Sequence, residues 1–441
     1  MVCHQSCGQA FCRPLTARAI SSYGILDTAV EQVTLVERGP STSHNVLSWG
    51  HVELFSPYSL NMSEAGKSVL QEAGKALPDM DSFPTGAEYV RDYLDVLSSW
   101  LSSRCTIMCN SEVTAMARGA LLRHELGAVR RSKVAFRIMI RTADGNEQIL
   151  EAARVVDASG TYNQPASMGM GGMPALGESQ MASRNDEALI RQIPDVKARR
   201  EEFIGKNTVV VGAGASAITV INGLKKLSSG GGEDTGIVDV TWVVRGGVEP
   251  YRRVDNDPLP QRDALYSLGN KLSMGDKWCV THFPKLPRLS CLRAGPSVVV
   301  AFVSFIHHSI IFSHFLLYLP SLFLTCPAAA VRFYSGGDRF RVRFIPNSGV
   351  LSMEKTQDGK VNVKVLKRRE GEYEGGEEEC IAADRVISCC GFKPNDGLWS
   401  QLQVHQCYAS SAPMKLAGGD EPHLIAPCHF FFGLSNQIMV Q

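Results

Sequence analysis

A glycine-rich turn in the middle of the chain constrains its fold more than any other feature. Residues 206–211 read Lys-Asn-Thr-Val-Val-Val and lead directly into Gly-Ala-Gly-Ala-Ser-Ala at 212–217. Apolar residues then recur with helical spacing over 218–227. This order predicts a buried strand, a tight turn and a helix that begins near Ala215.

The residue types in this turn suit a bound pyrophosphate. Gly212 and Gly214 allow a sharp turn and a close approach of the anion to the backbone. Ser216 stands where the first N–H groups of the helix are free to face the anion, and the small Ala217 lets helix and strand pack closely. The alternative is a glycine-rich turn that binds no ligand.

A second strand is predicted over 238–244, after the glycine-rich residues 230–232, and it ends in Arg245. An acid at this place would favour the ribose hydroxyls of NAD, whereas an arginine suits the 2′-phosphate of NADP. The sequence therefore favours NADPH over NADH. A solvated arginine at the end of a strand is the other interpretation.

An acid near the start of the chain has the position of a ribose ligand. Residues 32–38 predict a short buried strand that ends at Glu37, which would hold an adenosine ribose. A hydrophobic strand and a GxGxxG turn should precede it, but the only glycines in residues 1–31 are Gly8 and Gly24. We therefore expect the phosphate turn to be missing here, and Glu37 alone could be a surface acid.

Two further segments combine an apolar run with a glycine. Residues 153–161 contain Gly160, and residues 384–394 contain Gly391. In each segment the glycine would let the backbone pass close to a bulky group. Composition alone identifies them only as the ends of strands.

These pieces stand in the order found in flavin-containing monooxygenases and related flavoprotein oxidoreductases that depend on FAD and NAD(P)H. Residues 156–160 resemble the first crossover between the two domains of that family, and residues 386–394 resemble the second. The turn at 212–217 resembles the family's NADPH turn. Trp49 opens a segment, 49–57, that resembles the one running beside the flavin in related bacterial flavoproteins.

The resemblance implies an α/β fold with two Rossmann-like three-layer nucleotide-binding domains, the NAD(P)H domain being inserted into the FAD domain. The implied boundaries are 1–200 for the first part of the FAD domain, 201–383 for the NAD(P)H domain and 384–441 for the return segment. The implied cofactors are FAD and NADP, with hydride passing from NADPH to the flavin and then to oxygen or another acceptor. No catalytic residue is named, because such cofactors carry the chemistry themselves.

The chain departs from the family in three places. The phosphate turn before Glu37 is absent, the return segment ends early at Gln441, and residues 294–330 form an apolar stretch without Asp, Glu, Lys or Arg. We interpret this stretch as an insert or as non-coding sequence carried into the reading frame, and a membrane span over 298–324 is the alternative. Because only the turn at 212–217 is intact, we expect NADPH to bind more tightly than FAD.

Composition limits the remaining choices. With 45 basic and 44 acidic side chains the net charge is +1, which favours a small-molecule substrate over nucleic acid or a membrane surface. The 13 cysteines form no CxxC pair, so we expect no metal site and no dithiol reductase. No secretory signal is recognisable, and a cytoplasmic location is expected. Two functions stay open: a monooxygenase-like flavin oxidoreductase, or a non-catalytic NAD(P)H-binding remnant that no longer holds FAD.

Overall fold

The computed structural model describes residues 2–5, 33–229, 236–253, 257–274, 339–369, 371, 375–408, 411, 413–416 and 439–440. Their strands form two main sheets of five strands each, together with smaller antiparallel sheets. Both main sheets consist largely of parallel strands, as the sequence predicts for nucleotide-binding domains.

The first sheet has the order β18-β7-β1-β2-β3. Its strands are β1 (Val2–Gln5), β2 (Thr34–Val36), β3 (Thr106–Met108), β7 (Val155–Ala158) and β18 (Met439–Val440). All neighbours in it are parallel except β18, which runs antiparallel to β7. Strand β1, which the sequence motifs did not mark, lies in the centre of the sheet, between β2 and β7. The turn that would follow β1 lies outside the described residues.

Short helices join β2 to β3. They are α1 (His44–Leu47), α2 (Tyr58–Asn61), α3 (Glu64–Glu72), α4 (Gly86–Tyr89), a π-helical turn (Val90–Leu94) and α5 (Asp95–Ser102). Side-chain caps start two of them. Ser63 accepts a hydrogen bond from the Gly66 amide, and Thr85 and Glu88 form a reciprocal capping box.

The second sheet has the order β11-β10-β9-β15-β8, and every neighbouring pair in it is parallel. Its strands are β8 (Leu189–Ile190), β9 (Asn207–Val211), β10 (Val238–Val243), β11 (Phe340–Ile345) and β15 (Arg385–Ser388). Helices α8 (Ala215–Ser229) and α9 (Pro260–Met274) belong to the same half of the molecule. The predicted strand, turn and helix are confirmed, with the helix beginning at Ala215.

Both halves follow one plan. In each, a three-stranded antiparallel sheet is inserted between two consecutive strands of the parallel sheet, between β3 and β7 in the first and between β11 and β15 in the second. These inserts are β4 (Ser111–Arg118), β5 (Phe136–Thr142) and β6 (Glu147–Ala152) in the first half, and β12 (Ser348–Lys355), β13 (Val361–Lys367) and β14 (Glu377–Ala383) in the second. Shorter helical segments are α6 (Ala128–Ser132), α7 (Glu178–Ser183) and the 3-10 turns Met170–Gly172 and Arg200–Glu202.

After the second sheet the chain returns to the first half. The 3-10 turn Asp396–Trp399 precedes a hairpin of β16 (Val404–Gln406) and β17 (Pro413–Leu416). The Trp399 indole donates a hydrogen bond of 2.9 Å to Asp157 Oδ2 at the end of β7, and Trp399 packs in the core of the first half. The predicted α/β fold, two Rossmann-like domains with one inserted in the other, is confirmed.

The three predicted domain boundaries stay predictions. Strands β8 and β15 belong to the second sheet, although they lie just outside the predicted range 201–383. The apolar stretch 294–330, including the alternative span 298–324, lies outside the described residues. Among the helices that the structure does describe, none combines the length and apolar character needed to cross a bilayer.

Candidate functional site

The turn after β9 depends on Gly212 for its own packing. Gly212 has a φ of 126°, which side chains of L-residues rarely allow. A Cβ atom here would lie 2.2 Å from the backbone oxygen of Cys389, at the end of β15. This glycine therefore lets two neighbouring strand ends approach each other.

Gly214 has a different environment. Apart from its neighbours in the chain, no heavy atom lies within 4 Å of the place where its Cβ would stand. The backbone amides of Gly214, Ala215 and Ser216 donate no hydrogen bond to any described residue. Ala217, by contrast, is fully buried. Free amides beside open space at the N-terminus of a 15-residue helix are what a pyrophosphate requires.

Aromatic side chains hold this turn in place. The Trp242 indole donates to the carbonyl of Gly212 at 2.8 Å, and the Tyr251 hydroxyl donates to the carbonyl of Gly214 at 3.1 Å. Tyr251 stacks on Tyr266, with ring centroids 4.6 Å apart. Burial raises the pKa of Tyr251, so its hydroxyl stays protonated and donates throughout the physiological range.

Arg245 lies at the same edge, two residues past β10. It is exposed and forms no ion pair with a described residue. Burial raises the pKa of the Cys390 thiol at the end of β15, and the charge of Arg245 partly opposes this rise. Arg245 is therefore close to the turn and free to meet an anion.

Glu37 occupies the corresponding edge of the first sheet, directly after β2. Its side chain is buried, and Oε1 accepts a hydrogen bond of 2.7 Å from the Gly39 amide. Oε2 is also buried but has no partner among the described residues. Burial raises the pKa of this carboxyl to about 7. An unsatisfied acceptor at this position fits the hydroxyl of a nucleotide ribose.

Other buried polar atoms of the first half also have no partner within the described part of the chain. They include Asn45 Nδ2 and Trp49 Nε1. Trp49 is a core residue, and its ring lies so close to Gly86 that a Cβ there would be 2.8 Å from it. Each unsatisfied group of this kind costs about 1–3 kcal/mol. A polar ligand that reached these atoms would recover part of that cost.

The two crossovers run side by side. Pro165 and Phe392 form an antiparallel bridge, the Ala166 amide donates to the Gly391 carbonyl at 2.8 Å, and the Lys393 amide donates to the Gln164 carbonyl at 2.7 Å. Gly160 and Gly391 have φ angles of 65° and 89°. A left-handed backbone explains the glycine at each crossover. We call these paired segments, 160–166 and 391–393, the crossover ribbon.

A cleft of 740 Å³ opens beside the ribbon. Its lining comes from three parts of the chain: Ser48 and His51 of the first half, residues 162–165 of the ribbon, and residues between 181 and 202 around β8. This volume lies within the range of about 300–1,000 Å³ that is usual for small-molecule sites.

The structure brings most of the predicted site residues to two edges. Gly212, Gly214, Ser216, Ala217, Arg245 and Gly391 stand at the carboxyl ends of the second sheet, and Glu37 and Gly160 at those of the first. Trp49 is buried between them in the core that both halves share. That these residues bind cofactors stays a prediction. Sequence reasoning missed Asn45, Tyr251 and the cleft around β8, none of which belongs to a recognisable motif.

No protein-family profile matches the chain, and no curated protein sequence matches it significantly. Similarity is found among solved structures. The bacillithiol disulfide reductase Bdr (YpdA) of Bacillus cereus is 13% identical, with a TM-score of 0.50 over 94% of this chain and 84% of that protein. The cadaverine monooxygenase DfoA of Erwinia amylovora, solved with FAD bound, is also 13% identical, with the same TM-score and coverage. The chain shares the fold of these flavoprotein oxidoreductases.

Proposed function

We propose that this protein is an NADPH-dependent flavin oxidoreductase of the monooxygenase-like type. Hydride would pass from NADPH to FAD, and the electrons then to oxygen or another acceptor. The observation that carries the proposal is the pairing of two nucleotide features in one molecule. Gly214 opens a helix N-terminus with free amides on one sheet, and Glu37 presents a buried unsatisfied acceptor on the other.

The chain's own residues would bind and orient the two cofactors. Glu37 would accept a hydrogen bond from the adenosine ribose of FAD, and Gly160 and Gly391 would let the ribbon approach the flavin. The amides at Gly214 and Ser216 would hold the NADP pyrophosphate, and Arg245 its 2′-phosphate. When bound, the flavin and the nicotinamide supply the redox chemistry.

FAD binding should depend on the protonation state of Glu37. A ribose hydroxyl that donates to Oε2 stabilises the charged carboxylate and so lowers the pKa from its raised value of about 7. FAD should therefore bind more tightly above pH 7 than below it. The Gly39 amide already holds the other oxygen, which fixes the direction in which the free acceptor points.

A non-catalytic NAD(P)H-binding remnant is the second candidate. One observation favours it. A turn with three glycines would hold the FAD pyrophosphate between β1 and β2, but the only glycines in that part of the sequence are Gly8 and Gly24. Such a protein would keep the NADPH turn and lose the flavin.

The absorption spectrum of the purified protein, followed by titration with FAD, separates the two candidates. The oxidoreductase should take up FAD to one equivalent, and NADPH should bleach the bound flavin under anaerobic conditions. Glu37→Gln should weaken FAD by about tenfold, whereas Glu112→Gln, an acid of the antiparallel insert, should not. NADPH binding with no saturable FAD binding would instead establish the remnant.

A further inference from the structure

The 740 Å³ cleft contains an arginine that no described acid neutralises. Arg191 directly follows β8, the edge strand of the second sheet. Because β8 is parallel to β15 and β9, Arg191 stands at the same carboxyl edge as Gly391 and Gly212. In open α/β sheets, ligands bind in the crevice outside this edge.

The guanidinium of Arg191 is held by one hydrogen bond, and some of its N–H donors have no described partner. Its Nη2 donates to the carbonyl of Pro165 in the ribbon at 3.3 Å. Its Nε is buried and has no partner among the described residues. A guanidinium has five N–H donors in a planar fork that matches a carboxylate. Arg191 therefore offers a fixed, charged donor beside the cleft.

The acids that line the cleft do not compete for this arginine. Asp186 pairs with Lys355 Nζ at 2.8 Å. Glu202 binds Arg199 through both oxygens, at 2.7 and 2.8 Å, and also accepts from Arg385. These pairs lower the pKa of both carboxyls and keep them charged.

The two remaining acids differ from these pairs. Asp195 Oδ1 accepts from the amides of Lys197 and Ala198 at 3.1 and 2.9 Å. Glu187 is exposed, and its charge acts on Arg199. Of the two arginines in the lining, Arg199 is paired with Glu202, whereas Arg191 has no acidic partner in the described part of the chain. Asp195 and Glu187 likewise form no ion pair there.

The phosphate groups of NADPH would lie away from Arg191. Arg245, the proposed partner of the 2′-phosphate, follows β10, and three strand spacings separate β10 from β8, or about 14 Å. The pyrophosphate turn follows β9, two spacings or about 10 Å from β8. The remaining half of the coenzyme, nicotinamide and its ribose, carries no anionic group. The second sheet therefore leaves Arg191 open to an anion other than the phosphates of NADPH.

We propose that the cleft binds a small organic acid and that Arg191 anchors its carboxylate. Buried Leu189, Ile190 and Ile193 line the same cleft and would contact an apolar body, while Ser48 and Asn163 add neutral polar groups. The further claim that this organic acid is the substrate rests on the proposed function. Binding of the acid itself requires neither cofactor.

Three probes of nearly one shape test this on the full-length chain: phenylacetate, phenylacetamide and phenethylamine. Isothermal titration should detect phenylacetate, with the amide at least about tenfold weaker and the amine weaker still. Arg191→Gln should reduce phenylacetate affinity to that of the amide, and Arg191→Lys should give an intermediate value because it keeps the charge and loses the fork. Arg184→Gln, an exposed arginine of the same segment, should change nothing.

NADPH affinity serves as the check that the Arg191 variants fold, since Pro165 loses a contact in them. Equal affinities for acid and amide, tighter binding of the amine, no binding of the acid, or an unchanged Arg191→Gln would each overturn the proposal. FAD content is measured separately. A protein that binds phenylacetate through Arg191 but no FAD would refute the oxidoreductase and leave the anion site standing.

Discussion

The two main sheets share the order of four neighbouring strands, β7-β1-β2-β3 in the first and β15-β9-β10-β11 in the second, but their carboxyl edges satisfy polar groups differently. At the second sheet, the indole of Trp242 and the hydroxyl of Tyr251 hold the carbonyls of Gly212 and Gly214. At the first sheet, Glu37 has one oxygen bound to Gly39 and the other without a described partner. At the second edge, two aromatic side chains hold the carbonyls of the turn while its amides stay free for a ligand, whereas at the first edge the unsatisfied group is a buried side-chain oxygen.

This difference separates two roles that look alike in sequence. Gly212 and Gly214 belong to one motif, yet a Cβ on Gly212 meets the Cys389 backbone while a Cβ on Gly214 meets open space. The first glycine is therefore needed for folding of the edge, and the second for the ligand.

The largest effect is expected from Gly212→Val. The substitution combines a φ of 126° with a Cβ that would lie 2.2 Å from the Cys389 oxygen. We expect a loss of more than about 3 kcal/mol in the free energy of unfolding, measured by urea denaturation.

Gly214→Val is the matched control for that variant. It should leave the unfolding midpoint nearly unchanged and reduce NADPH affinity by about a hundredfold or more, because the side chain blocks approach to the amides. Equal destabilisation by the two valines would contradict the division of roles.

The second effect concerns the pH dependence of stability, which should arise at the first sheet. The folded protein keeps the proton of Glu37 to about pH 7, whereas the unfolded chain releases it near 4.5. The folded state thus binds more protons between these values, and stability falls as pH rises through this window, by about 3 kcal/mol in total.

Glu37→Gln should remove this slope and make the apo protein more stable at pH 8. Urea titrations at pH 5, 6, 7 and 8 measure it. Saturating FAD should also flatten the slope in the unsubstituted protein, since the ribose hydroxyl stabilises the charged form. A slope that survives in Glu37→Gln would assign the pH dependence to another group.

How far the sequence predicts each edge follows from the same comparison. A β-branched run followed by two glycines is a local signal, so the strand β9, the turn and the start of α8 were all predictable. Strand β1 was not, because Val2–Gln5 contains two polar residues and pairs with strands distant in sequence.

The candidate site was predictable where a motif marks it and not elsewhere. Glu37 and Arg245 stand at the ends of recognisable strands. Tyr251 reaches back over 37 residues to Gly214, and Arg191 follows a strand of only two residues. Such contacts depend on how separate segments pack, which a pattern within one segment does not contain.

The third prediction concerns the contact between Arg245, at the edge of the second sheet, and the 2′-phosphate of NADPH. Arg245→Ala should lower NADPH affinity by about 10- to 100-fold, as expected for one charge-assisted contact to phosphate, and should change NADH affinity little. Arg154→Ala, an exposed arginine of the first half, is the control. Fluorescence titration with both coenzymes measures the ratio. An unchanged ratio would mean that Arg245 does not contact the 2′-phosphate.

The smallest effect should come from Tyr251→Phe. The phenylalanine keeps the stacking on Trp242 and Tyr266, whose centroids lie 6.0 and 4.6 Å from that of Tyr251, but loses the hydrogen bond to Gly214. One neutral hydrogen bond contributes about 1 kcal/mol, so unfolding should become easier by that amount.

The decisive measurement for this variant is the temperature dependence of NADPH binding. Without the Tyr251 hydroxyl, the ligand has to order more of the turn, so binding should show a less favourable entropy and a modest loss of affinity. Tyr266→Phe, which removes a neighbouring hydroxyl with no described bond to the turn, should not do so. An identical binding entropy in both variants would show that the Tyr251 hydroxyl does not order the Gly214 turn, and the two edges would then differ less than their hydrogen bonds indicate.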